Sequence, residues 1–298
     1  MKFETKSEFR ALGTDINIRI VFNNEAEKEK ARDNLEKVKN IFFAKEKIFS
    51  RFNTKSELCQ LNRNLSICQK ASPDMIYLTK RALFYHRESS GLYDPRIIDV
   101  LENIGYKSEN TKSANPEPAS GKPKNLSADL KIKKNKIFFG RRMDFSGIAK
   151  GYIIDQAAEF LKSTGWKNFF INANGDAYAA GRNRKGEKGK LPIEGARDKN
   201  AGVYISNQAV ATSGVIKKQW KHKGENVHHL INPKNPENFS FEIRSVLVFH
   251  KKVEWADGRA KVLVLMGAKK GFAFAKEKKL DAIFVDNKGK ITSTSDVR

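Results

Sequence analysis

Cysteine is nearly absent from this chain of 298 residues, with only Cys59 and Cys68 present. Two thiols make neither a disulfide scaffold nor a four-thiolate zinc site, and their neighbours supply no metal-ligand spacing. Histidine is scarce too. With five in all, a single imidazole acting as base or hydrogen-bond partner is favoured over a cluster of metal ligands. Long hydrophobic runs are missing: stretches such as Val262 to Met266 and Phe169 to Ala173 fall far short of the roughly 20 residues that span a bilayer, so no transmembrane segment is expected. The opening MKFETKSEFRALG carries neither the apolar segment nor the small-residue cleavage site of a secretory signal. As written, the chain therefore reads as cytoplasmic; an extracytoplasmic, membrane-anchored protein is the alternative if a leader has been removed.

Acidic residues are in the minority, 34 Asp and Glu against 57 Lys and Arg, for a formal charge of +23. Clustered bases would suggest nucleic acid. Here they are diffuse, at Lys131 to Lys136, Lys217 to Lys223 and Lys276 to Lys279, with no helix-turn-helix, zinc finger or aromatic ribonucleoprotein pattern beside them. A solvated lysine-rich surface is expected, with no specific nucleic-acid partner. Although 31% of residues are charged, 39% are hydrophobic and 20 are Phe, which is enough core-forming material for a globular fold.

The periodicities are mixed. Ile16, Ile18 and Ile20 alternate after Gly13, as in a strand. Ala31, Leu35, Val38, Phe42 and Phe49 recur near a 3.6 period through 25–49, as in an amphipathic helix. Ser72-Pro73-Asp74 punctuates a second helix that runs through Met75, Leu78, Ala82 and Tyr85 towards Gly91. Residues 108–125 are rich in Pro, Ser and Asn and read as a surface loop insertion. A hairpin is expected about Lys134-Asn135, a third helix over 148–164 closed by Gly165, and strands at 168–173, 202–206, 243–250 and 281–285. A helix pair falls between Asp257 and Lys278. Strands and helices interleave without the steady alternation of a doubly wound sheet, so the class is α+β, in one large domain over 1–298 with mixed sheets and packed helices.

Small-residue clusters beside charges mark candidate chemistry, because a bare backbone approaches phosphates and metals closely. DFSGIAKGYIID, 144–155, places Asp144 before a tight turn and Lys150 and Asp155 at a helix opening whose amides favour anions. It suits a pyrophosphate, or it is an ordinary helix start with a surface lysine; it is neither a Walker A loop nor a GxGxxG fingerprint. Asn174-Gly175-Asp176 is a plain turn or a ligand loop. Residues 210–216, VATSGVI, bond a ligand or end a strand. In VHHLINP, His228 and His229 point to opposite sides of an extended segment, so one ring is free to face a cleft. Asp257, in WADGRAKVLVLMG, reads as a helix N-cap or as a metal ligand.

Taken in order, ALGT near the start, FSRFNTKSELCQLN at 49–62, GLYDP at 91–95, DFSGIAKGYIID, NANGDAYAAG at 172–181, VATSG, HLINP at 229–233 and WADGRAKVLVLMG at 255–267 resemble the ApbE family of FAD:protein FMN transferases over nearly the whole chain. The resemblance implies a single α+β domain that, with magnesium, cuts FAD, esterifies FMN to a threonine of a target protein and releases AMP. It places Leu12, Leu92, Tyr93, Asp94, Asp144, Lys150 and Ile231 at FAD, with Tyr93 available to stack on a ring. It gives the Gly147 carbonyl and the Asp257 carboxylate to magnesium, and it makes His229 the group that deprotonates the threonine. Catalysis is thus assigned to His229 and Asp257. Four departures stand out. Lys261 replaces a threonine that completes the family's metal site, Asn232 replaces Asp, Asn235-Pro236 replaces Thr-Gly, and Asn174 replaces glycine. An ammonium cannot ligate magnesium. A flavin-binding protein without transferase activity and an FAD pyrophosphatase are the alternative readings.

Overall fold

The computed structural model of the chain describes residues 2–106 and 125–295. The loop expected at 108–125 lies outside the described residues except for Asn125, whose side chain caps the short Leu126–Asp129 helix. Two compact units emerge, each discontinuous in sequence: the first draws on Met1–Lys45, Lys150–Ile216 and Phe241–Arg298, the second on Glu46–Ala149 and Lys217–Ser240.

The first unit is built on an eight-stranded sheet. Its strands, in spatial order, are Phe3–Ala11, Thr14–Phe22, Phe169–Ala173, Asp176–Ala180, Gln208–Gly214, Ile243–His250, Asp281–Asp286 and Ile291–Ser293. Spatial order equals chain order and every neighbouring pair is antiparallel. Antiparallel neighbours can be joined by two-residue turns, and two such turns set the register here. Leu12 and Gly13 have φ of 55° and 70°, and Asn174 and Gly175 have 52° and 101°. Both turns therefore have the twist of type I′, which matches that of the flanking strands. Asn tolerates this left-handed region, so the Asn174 departure is sterically mild.

Helices and a small hairpin cover the sheet. The Val253–Met266 helix packs on strands Gln208–Gly214 and Ile243–His250. Leu247, Phe249, Ile283 and Val285 join Leu191, Val203 and Ile205 of the Gly189–Pro192/Gly202–Ile205 hairpin in a buried apolar cluster. Each such side chain contributes about 1.5–3 kcal/mol by leaving water. The amphipathic segment opens as a 3₁₀ turn, Glu25–Glu27, held by a capping box between Asn24 and Glu27, and continues as the Lys28–Phe49 helix. All five of its expected core positions are buried, and Phe42 meets Phe9 edge to face at 5.6 Å.

The second unit carries the Pro73–Glu88 helix, capped by the Ser72 side chain on the Met75 amide, and a three-stranded sheet in the order Cys68–Lys70, Lys136–Phe139, Leu130–Lys133. The turn of this sheet falls at Lys134-Asn135, as the sequence predicts. Asn62 fastens the Glu57–Arg63 helix to the Met143 backbone by two bonds, Nδ2 to the carbonyl at 2.9 Å and the amide to Oδ1 at 2.8 Å. The α+β class holds, with an antiparallel sheet and helices segregated against it. Among the described residues no helix is long and apolar enough to cross a membrane.

Candidate active site

In the first unit, the site residues are positioned by a close crossing of two helices. The DFSGIAKGYIID block forms most of the Ser146–Ser163 helix, whose later turns meet the start of the Val253–Met266 helix. Gly151 permits the approach, since a Cβ there would lie 2.7 Å from Glu254 Cα. Glycine serves helix packing here, and its amide is thereby free to reach Asp257 Oδ2 at 3.3 Å. Asp155 is not at the opening of its helix, as its spacing suggested, but deep within it. Its carboxylate caps the other helix instead: Val253 N–H donates to Oδ1 at 2.7 Å and Glu254 N–H to Oδ2 at 3.0 Å. Burial raises the Asp155 carboxyl to about 6, against the pull of those two amides.

Asp257 is likewise not an N-cap. It is the fifth residue of a helix that begins at Val253, and it is 3% exposed. The helix starts a turn earlier than its own sequence signals because Lys252 offers no capping side chain and Asp155 supplies the cap from elsewhere. Burial raises the Asp257 carboxyl to about 7; Lys261 pulls it down, Asp176 pushes it up, and Lys150 and the Gly151 amide pull it down. Lys261 Nζ lies 3.6 Å from Asp257 Oδ1, one helical turn along.

Lys150 is no surface lysine. Its Nζ is 2.8 Å from Asp176 Oδ2 and donates to the Ala173 carbonyl at 3.3 Å. Burial works against its charge, but Asp176 and then Asp257 outweigh this and raise its pKa. Asp176 is almost fully buried, and the Thr212 amide donates to its Oδ1 at 2.9 Å. The Asn174-Gly175-Asp176 segment is therefore a turn that delivers a buried acid, and VATSG is a strand that orders it. Asp176 is the principal residue that sequence reasoning missed as a site group. The available signal was an acid opening a strand of small apolar residues, DAYAA, where Asp is disfavoured. Leu12, also in this unit, sits half-buried with left-handed backbone at the first hairpin turn.

The second unit holds the other expected residues. Asp144 Oδ1 accepts from the Ser146 amide at 2.7 Å, which caps the helix start, while Oδ2 lies 3.5 Å from Arg51 Nε. Arg51, not singled out from sequence, also donates to the Tyr106 carbonyl at 2.9 Å and lies over the Phe52 and Tyr106 rings. Asp94 accepts from the Arg96 amide and is held bidentate by the Arg96 guanidinium, at 2.6 and 2.9 Å. Tyr93 is buried, its ring 5.6 Å from that of Tyr85 and tilted by 51° to it. Leu92 and Gly147 are half-buried and Ile231 is buried.

The two histidines separate as their alternation implies. His228 is buried, within hydrogen-bond distance of the Ser240 carbonyl (3.1 Å) and edge-on to Phe239; burial lowers its pKa, so it is held neutral. His229 is half-buried, and its ring lies 6.2 Å from that of Tyr106, which in turn stacks on Trp220 at 5.4 Å. Asn232 and Asn235 form a local turn: the Asn232 side chain accepts from the Lys234 amide, and its carbonyl accepts from the Asn235 amide.

Magnesium needs several hard oxygen ligands in near-octahedral array. Around Asp257, one carboxylate oxygen takes an amide and the other faces an ammonium. Among the described residues, no group of three or more His, Cys, Asp and Glu is placed to hold a metal. The side chains present do not fit the cation that the resemblance implies.

Comparison with known proteins agrees with the sequence motifs. An FAD:protein FMN transferase of Haemophilus influenzae is 24% identical over 308 residues, spanning 96% of this chain and 88% of that protein. Another, from Chlamydia muridarum, is 22% identical over 294 residues, spanning 95% and 92%. The flavin transferase ApbE from Vibrio cholerae has the same fold, with a TM-score of 0.81 at 21% identity over 99% of this chain and 98% of that one. The model of the ApbE family matches residues 12–284, most of the sequence, and on that ground this chain belongs to the ApbE family.

Proposed function

We propose that this chain is an FAD:protein FMN transferase, which moves FMN from FAD to the hydroxyl of a threonine in a target protein and releases AMP. The observation that carries this reading is the near end-to-end similarity to a relative so named, with 96% of this chain aligned. In the reaction the threonine Oγ forms a bond to the FMN phosphorus. The bond from that phosphorus to the bridging oxygen breaks, and AMP departs with that oxygen. His229, the more exposed of the two adjacent imidazoles, takes the threonine proton. Lys150, held charged by Asp176, supplies positive charge to the phosphates. Leu12, Leu92, Tyr93 and Ile231 are the residues that the family resemblance assigns to FAD. Asp94 and Asp144, whose carboxylates already serve arginines and helix starts, act as positioning residues. Asp257 orders the crossing helices through the Gly151 amide and sets the local charge.

The test is to incubate the chain with FAD and a threonine-bearing acceptor polypeptide, weigh the acceptor and measure AMP. An acceptor heavier by one FMN group, with one AMP released for each, is expected. AMP without a gain in acceptor mass would mean FAD hydrolysis, and FAD binding with neither product would mean a binding protein.

A further inference from the structure

Lys261 and Asp257 lie one turn apart on a helix whose surface is almost wholly buried, and only 19% of the lysine side chain and 4% of the aspartate side chain are exposed. A second pair, Lys150 with Asp176, is electrostatically linked to the first. The Asp257 carboxyl thus already has an ammonium group one helical turn away on its own helix, and a second, Lys150, acts on it electrostatically. A divalent cation on Asp257 would put two further positive charges beside Lys261, where limited solvent makes the repulsion strong. It would also have to compete with the Gly151 amide for Oδ2. We propose that the Lys261 ammonium is a built-in replacement for a divalent cation at Asp257, so that this protein binds the pyrophosphate of its flavin dinucleotide without metal. The identity of the ligand rests on the transferase reading above; the charge balance at Asp257 does not.

Two measurements on the whole chain test it. Mn²⁺ binding is followed by electron paramagnetic resonance, with and without FAD, and FAD affinity is followed by flavin fluorescence in excess chelator and in magnesium. Wild type should show no saturable Mn²⁺ site below about 1 mM, and its FAD affinity should differ by less than about twofold between the two buffers, far from the tenfold that 1.4 kcal/mol represents. Lys261→Thr, which exchanges the ammonium for a hydroxyl oxygen, should gain an Mn²⁺ site about tenfold tighter than anything in wild type, and adding Asp257→Asn should abolish it. A saturable wild-type Mn²⁺ site lost in Asp257→Asn, chelator-sensitive FAD binding, or a folded Lys261→Thr with no new site would each overturn the proposal. If Lys261→Thr does not fold, the wild-type titrations decide. Failure of FAD to bind in either buffer would sink the transferase reading and leave the Mn²⁺ result to judge the lysine.

Discussion

Asp155 illustrates how far the role of one side chain can lie from its place in the sequence. It sits inside one helix and caps another, bonding the first two amides that the Val253–Met266 helix leaves unsatisfied. Loss of such a cap costs about 0.5–2 kcal/mol, so Asp155→Ala should lower the urea midpoint accordingly. Its pH dependence has a definite sign. The folded value, about 6, is above the ordinary 3.8, so the folded state holds the proton more tightly. The contribution of Asp155 to stability is therefore fully present below about pH 3.8 and falls as pH rises through about 6. Denaturation of wild type and Asp155→Asn across that window should show wild type losing ground to the variant with rising pH, and a parallel pair of curves would refute it. His229 and His228 should part company in the same way. His229→Ala should abolish FMN transfer while FAD still binds, as a lost general base does. His228→Ala should act through stability instead, because it leaves a hole beside Phe239.

Among the elements, the crossing of the Ser146–Ser163 and Val253–Met266 helices governs the site in the first unit. A methyl at Gly151 would strike Glu254 backbone atoms at 2.7 and 2.8 Å and the Val253 carbonyl carbon at 2.9 Å, and main chain cannot step aside as a flexible side chain can. Overpacking of this kind costs about 1–3 kcal/mol. Gly151→Ala should lower the thermal midpoint and also weaken catalysis, because parting the helices removes the amide from Asp257. An unchanged melting curve would show that the crossing tolerates the methyl. The two type I′ turns act on the same scale. Asn174-Gly175 places Asp176 at the first position of its strand, where its carboxylate is buried within reach of Lys150.

For the molecule as a whole, a charge of +23 spread over many exposed lysines acts at long range and without sequence preference. Duplex DNA should bind weakly, and binding should fade steeply between low and physiological salt, since only counterion release drives it. A mobility-shift titration that found salt-resistant binding to one sequence would contradict this. The same diffuse charge raises encounter rates with acidic partners and with dinucleotide phosphates, so FAD association should slow as ionic strength rises.

Periodicity and punctuation determined much of this protein from sequence alone. The alternating isoleucines of 16–20, the core stripe of 31–49 and the Ser72-Pro73 cap are local signals, each written within a few residues, and the ordered motifs identified the family. The partners of the buried charges were not legible. That Asp155 caps a helix about 100 residues away, that Gly151 exists for Glu254, and that Asp176 neutralises Lys150 are decided by which elements the fold brings within 3 Å of one another. Among the charges around Asp257, the Lys261–Asp257 pair was foreseeable, because helix geometry alone sets residues four apart side by side. The remaining pairings depend on long-range packing, in which a buried charge takes whatever counter-charge or amide tertiary structure brings to it.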